Sequence, residues 1–200
     1  MVPAPSEIFQ VTRKVATAFD LAGVGYFLGG SLASALYGEA RSTRDVDFVA
    51  AMLPPHVQPF VAALGNEFYA NAQDMAEAVS ARHCFNVVHR DTMVKVDIFV
   101  LKADAFARSQ FSRRAGKQLS AGDSTLIKVA SPEDIILAKL RWYREGGGVS
   151  DRQWNDVLGV LKVQREALDQ AYLDEWAREL GLTALMCRAR ADAGLAPTGA

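Results

Sequence analysis

From residue 6 to residue 22 the apolar side chains Ile8, Phe9, Val11, Val15, Ala18, Phe19 and Leu21 recur at helical spacing, and Gly23 follows as a stop signal. Tyr26 to Leu28 then reads as a short buried strand, Gly29-Gly30 as a tight turn and Ser31 to Tyr37 as a short helix. Residues 45–50, DVDFVA, alternate polar and apolar ahead of Pro54 and Pro55. That pattern predicts a strand with both carboxylates on one face and Val46 and Phe48 turned into the core. Residues 56–64 predict a helix, and 66–80 reads as strand or loop followed by a helix through Ala76 and Val79. CFNVVHR (84–90) and MVKVDIFV (93–100) are rich in β-formers and predict an antiparallel hairpin. A helix is expected over 103–114, and KQLS and TLIKV, on either side of Ala121-Gly122-Asp123-Ser124, read as a smaller hairpin.

At Ser131 the pattern changes. Ser131-Pro132-Glu133-Asp134 joins a capping serine to proline at the first helical position and an acid three residues on. Ser150-Asp151-Arg152-Gln153 repeats the capping pattern after Gly146-Gly147-Gly148, and further helices are expected over 169–180 and 183–192. The expectation is an α+β domain over 1–130, a short mixed sheet flanked by helices, followed by a helical C-terminal part over 131–200.

Composition narrows the function only a little. Half of the 200 residues are hydrophobic, and 22 basic against 23 acidic side chains leave a net charge of −1. A sizeable core is expected, without a global attraction to nucleic acid. The two cysteines, Cys84 and Cys187, stand in no Cys-x-x-Cys pair and read as buried thiols in a reducing compartment. The opening MVPAPSEIFQ lacks a signal-peptide pattern, and no apolar run is long enough to span a bilayer. Cytoplasmic placement, with no membrane partner, is the expectation.

The chemistry concentrates in two places. A helix N-terminus offers N–H groups and a partial positive charge to a phosphate, and glycines let the backbone approach it. Gly29-Gly30-Ser31, between strand and helix, meets those requirements, although Gly-Gly-Ser is also ordinary turn chemistry. Asp45 and Asp47 on one strand face suit Mg²⁺, which takes carboxylate oxygens, waters and substrate phosphates; an exposed edge-strand face is the plain alternative. Asp97 lies amid the β-formers of MVKVDIFV, where an acid is costly to bury unless paired or bound to a metal. A salt bridge to Lys95 on the same face, or a solvent-facing position, would also account for it.

In this order the pieces resemble the nucleotidyltransferase superfamily related to DNA polymerase β: Gly30-Ser31, thirteen intervening residues, Asp45-Val46-Asp47, then Val96-Asp97-Ile98. The string FLGGSLASALYGEARSTRDVDFV is similar to the branch containing AbiE-type toxins, in which Arg41, Thr43, Asp45 and Asp47 match an R-x-T-x-D-h-D arrangement (h, apolar). Lys139 in PEDIILAKLRWYR and Asp156 in DRQWNDV resemble a helical lysine and a later aspartate of that branch. The resemblance spans about residues 25–160.

The resemblance implies a nucleotidyltransferase fold and transfer of a nucleoside monophosphate from a nucleoside triphosphate such as ATP to a hydroxyl acceptor, with release of pyrophosphate. The acceptor would be a protein, a nucleic acid end such as that of a tRNA, or a small molecule. Asp45, Asp47 and Asp97 would be the catalytic and metal-binding acids for two Mg²⁺ ions, with Mn²⁺ as a substitute. Gly29, Gly30, Ser31, Arg44 and Lys139 would bind the nucleotide. A toxin role with an antitoxin partner follows the branch, and a catalytically silent nucleotide- or partner-binding module of the same fold is the alternative. Lys139 also reads as a solvated helix lysine, Asp156 as a partner of Arg152 one turn earlier, and Arg41 and Arg44 as phosphate contacts or partners of the acids. His56, His83 and His89 lack zinc spacing. Trp142, Tyr143, Trp154 and Trp176 read as helix packing, and Arg113-Arg114 with Lys117 as a contact for an RNA or phosphorylated acceptor or, more plainly, a solvated helix end.

Overall fold

A computed structural model describes residues 5–39, 41, 43, 45–120, 122, 123 and 125–195. The chain divides into two compact units, one of residues 1–32 and 42–129, the other of residues 33–41 and 130–200.

The first unit runs through α1 (Pro5–Leu21), β1 (Tyr26–Leu28), the start of α2 (Gly30–Tyr37), β2 (Asp45–Ala50), α3 (Val57–Leu64), β3 (Phe68–Tyr69), α4 (Ala72–Ala81), β4 (Cys84–His89), β5 (Lys95–Val100), α5 (Ala105–Arg113), β6 (Ala115–Lys117) and β7 (Ile127–Val129). The strands form one seven-stranded sheet in the order β3-β4-β5-β2-β1-β7-β6. The β2–β5 and β1–β7 pairs are parallel, and the rest are antiparallel.

Period-two alternation sorts the sheet into two faces. Val46, Phe48 and Ala50 of β2, Val96, Ile98 and Val100 of β5, and Phe85 and Val87 of β4 are buried. Phe19 of α1 ties the helices to that face: its ring stacks on Phe60 of α3 at 4.6 Å and on Tyr26 at 5.2 Å, and meets Phe48 edge-on at 5.5 Å. Each phenylalanine buried in this way is worth about 1.5–3 kcal/mol. The opposite face carries Asp45, Asp47, Lys95, Asp97, Cys84 and Asn86, all half-buried or exposed.

The 66–80 segment forms a strand and then a helix, one of its two readings: the two-residue β3 and then α4, which Asn71 caps by accepting from Gln73 N and Asp74 N. The sequence expectations need adjustment at two places in this unit. The small hairpin forms from Ala115–Lys117 rather than 117–120, with Lys117 opposite Ile127. Asp123 explains the shift: its backbone oxygen accepts from Gln118 Nε2 at 2.6 Å, and its carboxylate accepts from Ser120 N at 3.1 Å and pairs with Arg13 of α1 at 2.7 Å. Residues 118–120 are thereby held as loop; Ala121 and Ser124 lie outside the described residues. Cys84, expected to be buried, is exposed, because it starts β4 on the outward face.

The second unit contains the rest of α2 and four further helices, α6 (Pro132–Glu145), α7 (Asp151–Gln164), α8 (Gln170–Glu179) and α9 (Thr183–Asp192). Ser131, Ser150 and Asp169 cap α6, α7 and α8 by accepting from Asp134 N, Gln153 N and Tyr172 N. Such caps are worth about 1 kcal/mol each. Ile136, Leu137, Leu140, Val157, Val160, Leu161, Leu173 and Met186 form the core. The Tyr143 and Trp154 rings pack at 5.0 Å, as expected of helix-packing aromatics. Trp142 does not follow them: it is 53% exposed, because one step along α6 turns it away from the face that carries Tyr143. Cys187 is likewise exposed, on α9. Among the described residues no helix is long and apolar enough to cross a membrane.

Tyr37 and Gly38 dock closely on α7. A Cβ added at Gly38 would stand 2.8 Å from Val160 N and 2.9 Å from the Gly159 carbonyl carbon, and Gln164 Nε2 donates to Tyr37 O at 2.6 Å. Gly38→Ala should therefore cost about 1–3 kcal/mol by overpacking. Gly159→Ala, whose nearest new contact is 3.2 Å, should cost less. Chemical denaturation of both variants checks the order.

Candidate active site

The outward face of β2, β5 and β4 is a small grid. Parallel β2–β5 pairing sets Asp45 beside Lys95, Asp47 beside Asp97 and Val49 beside Phe99. Antiparallel β5–β4 pairing continues these rows to Val88, Asn86 and Cys84. The three acids singled out in the sequence thus share one face of two neighbouring strands. Asn86 completes the middle row, Asp47–Asp97–Asn86. It was not singled out in the sequence, although the alternation in CFNVVHR already puts it on the outward side.

The glycine turn lies against the same grid. Gly29 N donates to Asp47 O at 2.8 Å, which extends the β1–β2 ladder one residue past the Leu28–Phe48 pair. Gly30 opens α2 with φ +59°, and a Cβ there would fall 1.8 Å from Asp47 Oδ2 and 2.7 Å from the Asp47 Cβ. Only glycine lets the carboxylate come this close to the first turn of the helix, where the helix dipole is positive. Ser31 follows in that first turn. Thr43, buried ahead of β2, donates through Oγ1 to Asp45 O at 3.2 Å.

Lys95 is the cation of the face. Its Nζ is 2.8 Å from Asp97 Oδ1 and 3.0 Å from Oδ2, the same-face pairing that was one reading of the sequence. The hydrogen bond to Asp97, with the charges of Asp97 and Asp45 behind it, raises the Lys95 pKa. The Cys84 thiol is pushed up to about 11, first by partial burial and then by the negative charge of Asp97.

Among the described residues, no group of three or more His, Cys, Asp or Glu side chains stands close enough to hold a metal by itself. The donors nonetheless suit Mg²⁺, which takes oxygen ligands and is usually bound by one or two carboxylates plus substrate phosphates and water, not by an all-protein cage. Asp47 and Asp97, opposite each other with Asp45 next along β2, are such an incomplete oxygen set.

Lys139 and Asp156, the two later residues of interest, meet in the second unit. Lys139 Nζ is 2.7 Å from Asp156 Oδ2, and Arg41 donates through Nε to Oδ1 at 2.5 Å and through Nη2 to Oδ2 at 2.7 Å. Asp156 therefore pairs with Arg41 and Lys139, not with Arg152. Lys139, expected on a phosphate or in solvent, is buried and holds Asp156. Burial alone would raise the Asp156 carboxyl, but the hydrogen bonds from Arg41 and Lys139 outweigh it and hold the pKa below the ordinary value. Arg44, expected at the nucleotide, lies outside the described residues. Arg114, read as a solvated helix end, folds back instead, its guanidinium 3.7 Å from the centroid of the Phe111 ring.

No family model matches the sequence. No curated protein matches it either. Solved structures do match the fold. The chain is similar to an antigenic nucleotidyltransferase-like protein from Paracoccidioides brasiliensis, with a TM-score of 0.65 and 17% identity over 96% of this chain and 92% of that one. It is also similar to the antibiotic-resistance factor ANT(2'')-Ia, with a TM-score of 0.55 and 13% identity over 96% of this chain and 97% of the other. The mixed seven-stranded sheet flanked by helices is thus a nucleotidyltransferase-like fold.

Two measurements probe these contacts. Gly30→Ala should destabilise by about 2 kcal/mol, from the left-handed backbone and the overlap with Asp47. Gly30→Ala/Asp47→Ala should recover only the overlap part, a coupling of about 1 kcal/mol in a double-mutant cycle. Asp156→Asn should cost about 3 kcal/mol at neutral pH by leaving two cations without their acid. Because the folded pKa of Asp156 is depressed, the contribution is present above the ordinary carboxylate value of about 4 and is lost as pH falls through the lower folded value. Wild type and variant should therefore converge in stability at acid pH, as read by denaturant unfolding across a pH series.

Proposed function

We propose that this protein is an Mg²⁺-dependent nucleotidyltransferase, moving a nucleoside monophosphate from a nucleoside triphosphate to an acceptor hydroxyl with release of pyrophosphate. The observation that carries this reading is the in-register pairing of Asp47 with Asp97 beside the Gly29-Gly30 turn. The nucleotidyltransferase-like fold supports it.

In this reading Gly29, Gly30 and Ser31 receive the triphosphate at the start of α2, where backbone N–H groups and the helix dipole favour anions. Asp45, Asp47 and Asp97 would hold Mg²⁺, which when bound supplies neutralising positive charge for the phosphates. Asp97 orients the acceptor hydroxyl and takes its proton. The acceptor oxygen forms a bond to the α-phosphorus as the bond from that phosphorus to the bridging oxygen breaks, and pyrophosphate leaves with the electron pair. Lys95 pairs with Asp97 before the acceptor arrives. Positioning and charge neutralisation provide most of the rate.

Purified protein with Mg²⁺ and each α-labelled nucleoside triphosphate should transfer label to an acceptor or to itself. Asp45→Ala and Asp97→Ala should reduce that transfer by roughly two orders of magnitude or more, with the fold intact by circular dichroism. Nucleotide bound in calorimetry but turned over with no acceptor would point instead to a silent binding module of this fold. A protein that neither binds nor turns over any nucleotide removes the proposal.

A further inference from the structure

The acid-bearing face of the sheet continues past β4. The row that starts at Asp45 and passes through Lys95 to Val88 ends at Tyr69, the outward residue of the short edge strand β3. There the surface changes character. Tyr69 and Met93 are 63% and 71% exposed, Val88 opposite Tyr69 is half-buried, and the Arg90 guanidinium lies 5.8 Å from the centroid of the Tyr69 ring. Together these four residues line a shallow, open and mostly apolar depression of about 400 Å³.

The fold has little use for this arrangement. Met93 has φ +55° at the tip of the β4–β5 hairpin, where glycine or asparagine is the easy choice, and its side chain is exposed. The core partner of that edge is Phe68, buried on the opposite face. Of the acids close by in the chain, Glu67 is paired with Lys14 at 2.6 Å and Asp91 is exposed on the hairpin tip. An aromatic face, a thioether, an aliphatic floor and a guanidinium together suit a planar ring with a negative group attached. Every nucleotide brings both at a fixed spacing, whereas a peptide would need an aromatic residue and an acid in the right order.

We propose that Tyr69, Val88, Arg90 and Met93 form a subsite for single-stranded nucleic acid, in which Tyr69 stacks a base near the 3′ end and Arg90 meets its phosphate. The position of the terminal hydroxyl at Asp97 rests on the transferase reading above; the pocket itself does not. Tyr69 stands two strands from Asp97 and two residues along, about 12 Å at the usual strand spacing and rise, a distance a short single-stranded end can cover. The transfer step is the one already written, with the 3′ oxygen as the attacking atom.

The test is fluorescence anisotropy of fluorescein-labelled single-stranded oligoribonucleotides and oligodeoxyribonucleotides on the full chain without nucleoside triphosphate. Tyr69→Ala should weaken binding roughly ten- to hundredfold, while Tyr69→Phe stays within about twofold, because stacking needs the ring and not the hydroxyl. Arg90→Ala should lower the dependence of log affinity on log salt by about one. Met93→Gly should raise Tm and weaken binding together, a pairing of effects that a merely structural residue would not give. Equal affinity in wild type, Tyr69→Ala and Arg90→Ala overturns the proposal, as does a wild type that binds an acidic aromatic peptide and no oligonucleotide. Oligonucleotide binding that depends on Tyr69, without any nucleotide turnover, keeps the pocket and removes the transferase. Nucleotide transfer with oligonucleotide binding indifferent to Tyr69 does the reverse.

Discussion

Two carboxylates set opposite each other on neighbouring strands repel, and the outward face of this sheet is organised by how that repulsion is met. Asp47 and Asp97 are register partners in β2 and β5, and like charges so placed destabilise a sheet. The register is held from behind. Val46, Phe48, Val96 and Ile98 are fully buried, and a slip of one residue would turn the acids into the core. In front, Lys95 closes on Asp97, and Asp47 lies against the start of α2 at Gly30. Hydrophobic burial on one face thus sustains a concentration of negative charge on the other.

The second unit holds its charges differently. Arg41, Lys139 and Asp156 bring two cations onto one acid, with the Asp156 side chain only 4% exposed. Desolvation makes such a group a poor source of net stability, yet removing one member is expensive. Its effect is to tie Arg41 to residues far along the chain, as Gly38 does by its close approach to α7. Tyr37, Gly38 and Arg41 are thereby each fixed within the second unit.

Where a pattern is local, much of the sequence was legible. Alternation in DVDFVA and MVKVDIFV located β2 and β5 and put their acids on one face, and the Ser131 and Ser150 capping patterns located the starts of α6 and α7. The parallel pairing of those strands was not legible, because it is set by packing between segments about fifty residues apart. Asp156 shows the same limit. Its nearest basic residue in the sequence is Arg152, but its partners are Lys139 and Arg41, 17 and 115 residues away. Trp142 and Cys187 were misread as buried because residue type alone says nothing about which side of a helix faces the core. Asn86 and Tyr69 were passed over because each is unremarkable until the strands are paired.

A folded chain departs from local rules mainly where function asks it to, and several departures in the first unit lie on one surface, although Arg82 at the end of α4 is also left-handed. The inner face is uniformly apolar in β2, β4 and β5 apart from His89, whose Nδ1 is 3.0 Å from Thr92 Oγ1. The outer face opposes two acids, sets a lysine beside one of them, packs a helix start onto the other and ends at an exposed aromatic ring. Two left-handed backbone positions flank that surface. At Gly30 the conformation carries no steric cost and brings backbone onto a carboxylate; at Met93 it carries a cost that glycine would remove. Met93 carries that cost with its side chain exposed beside Tyr69 and Arg90, on the surface to which the nucleic-acid subsite is assigned.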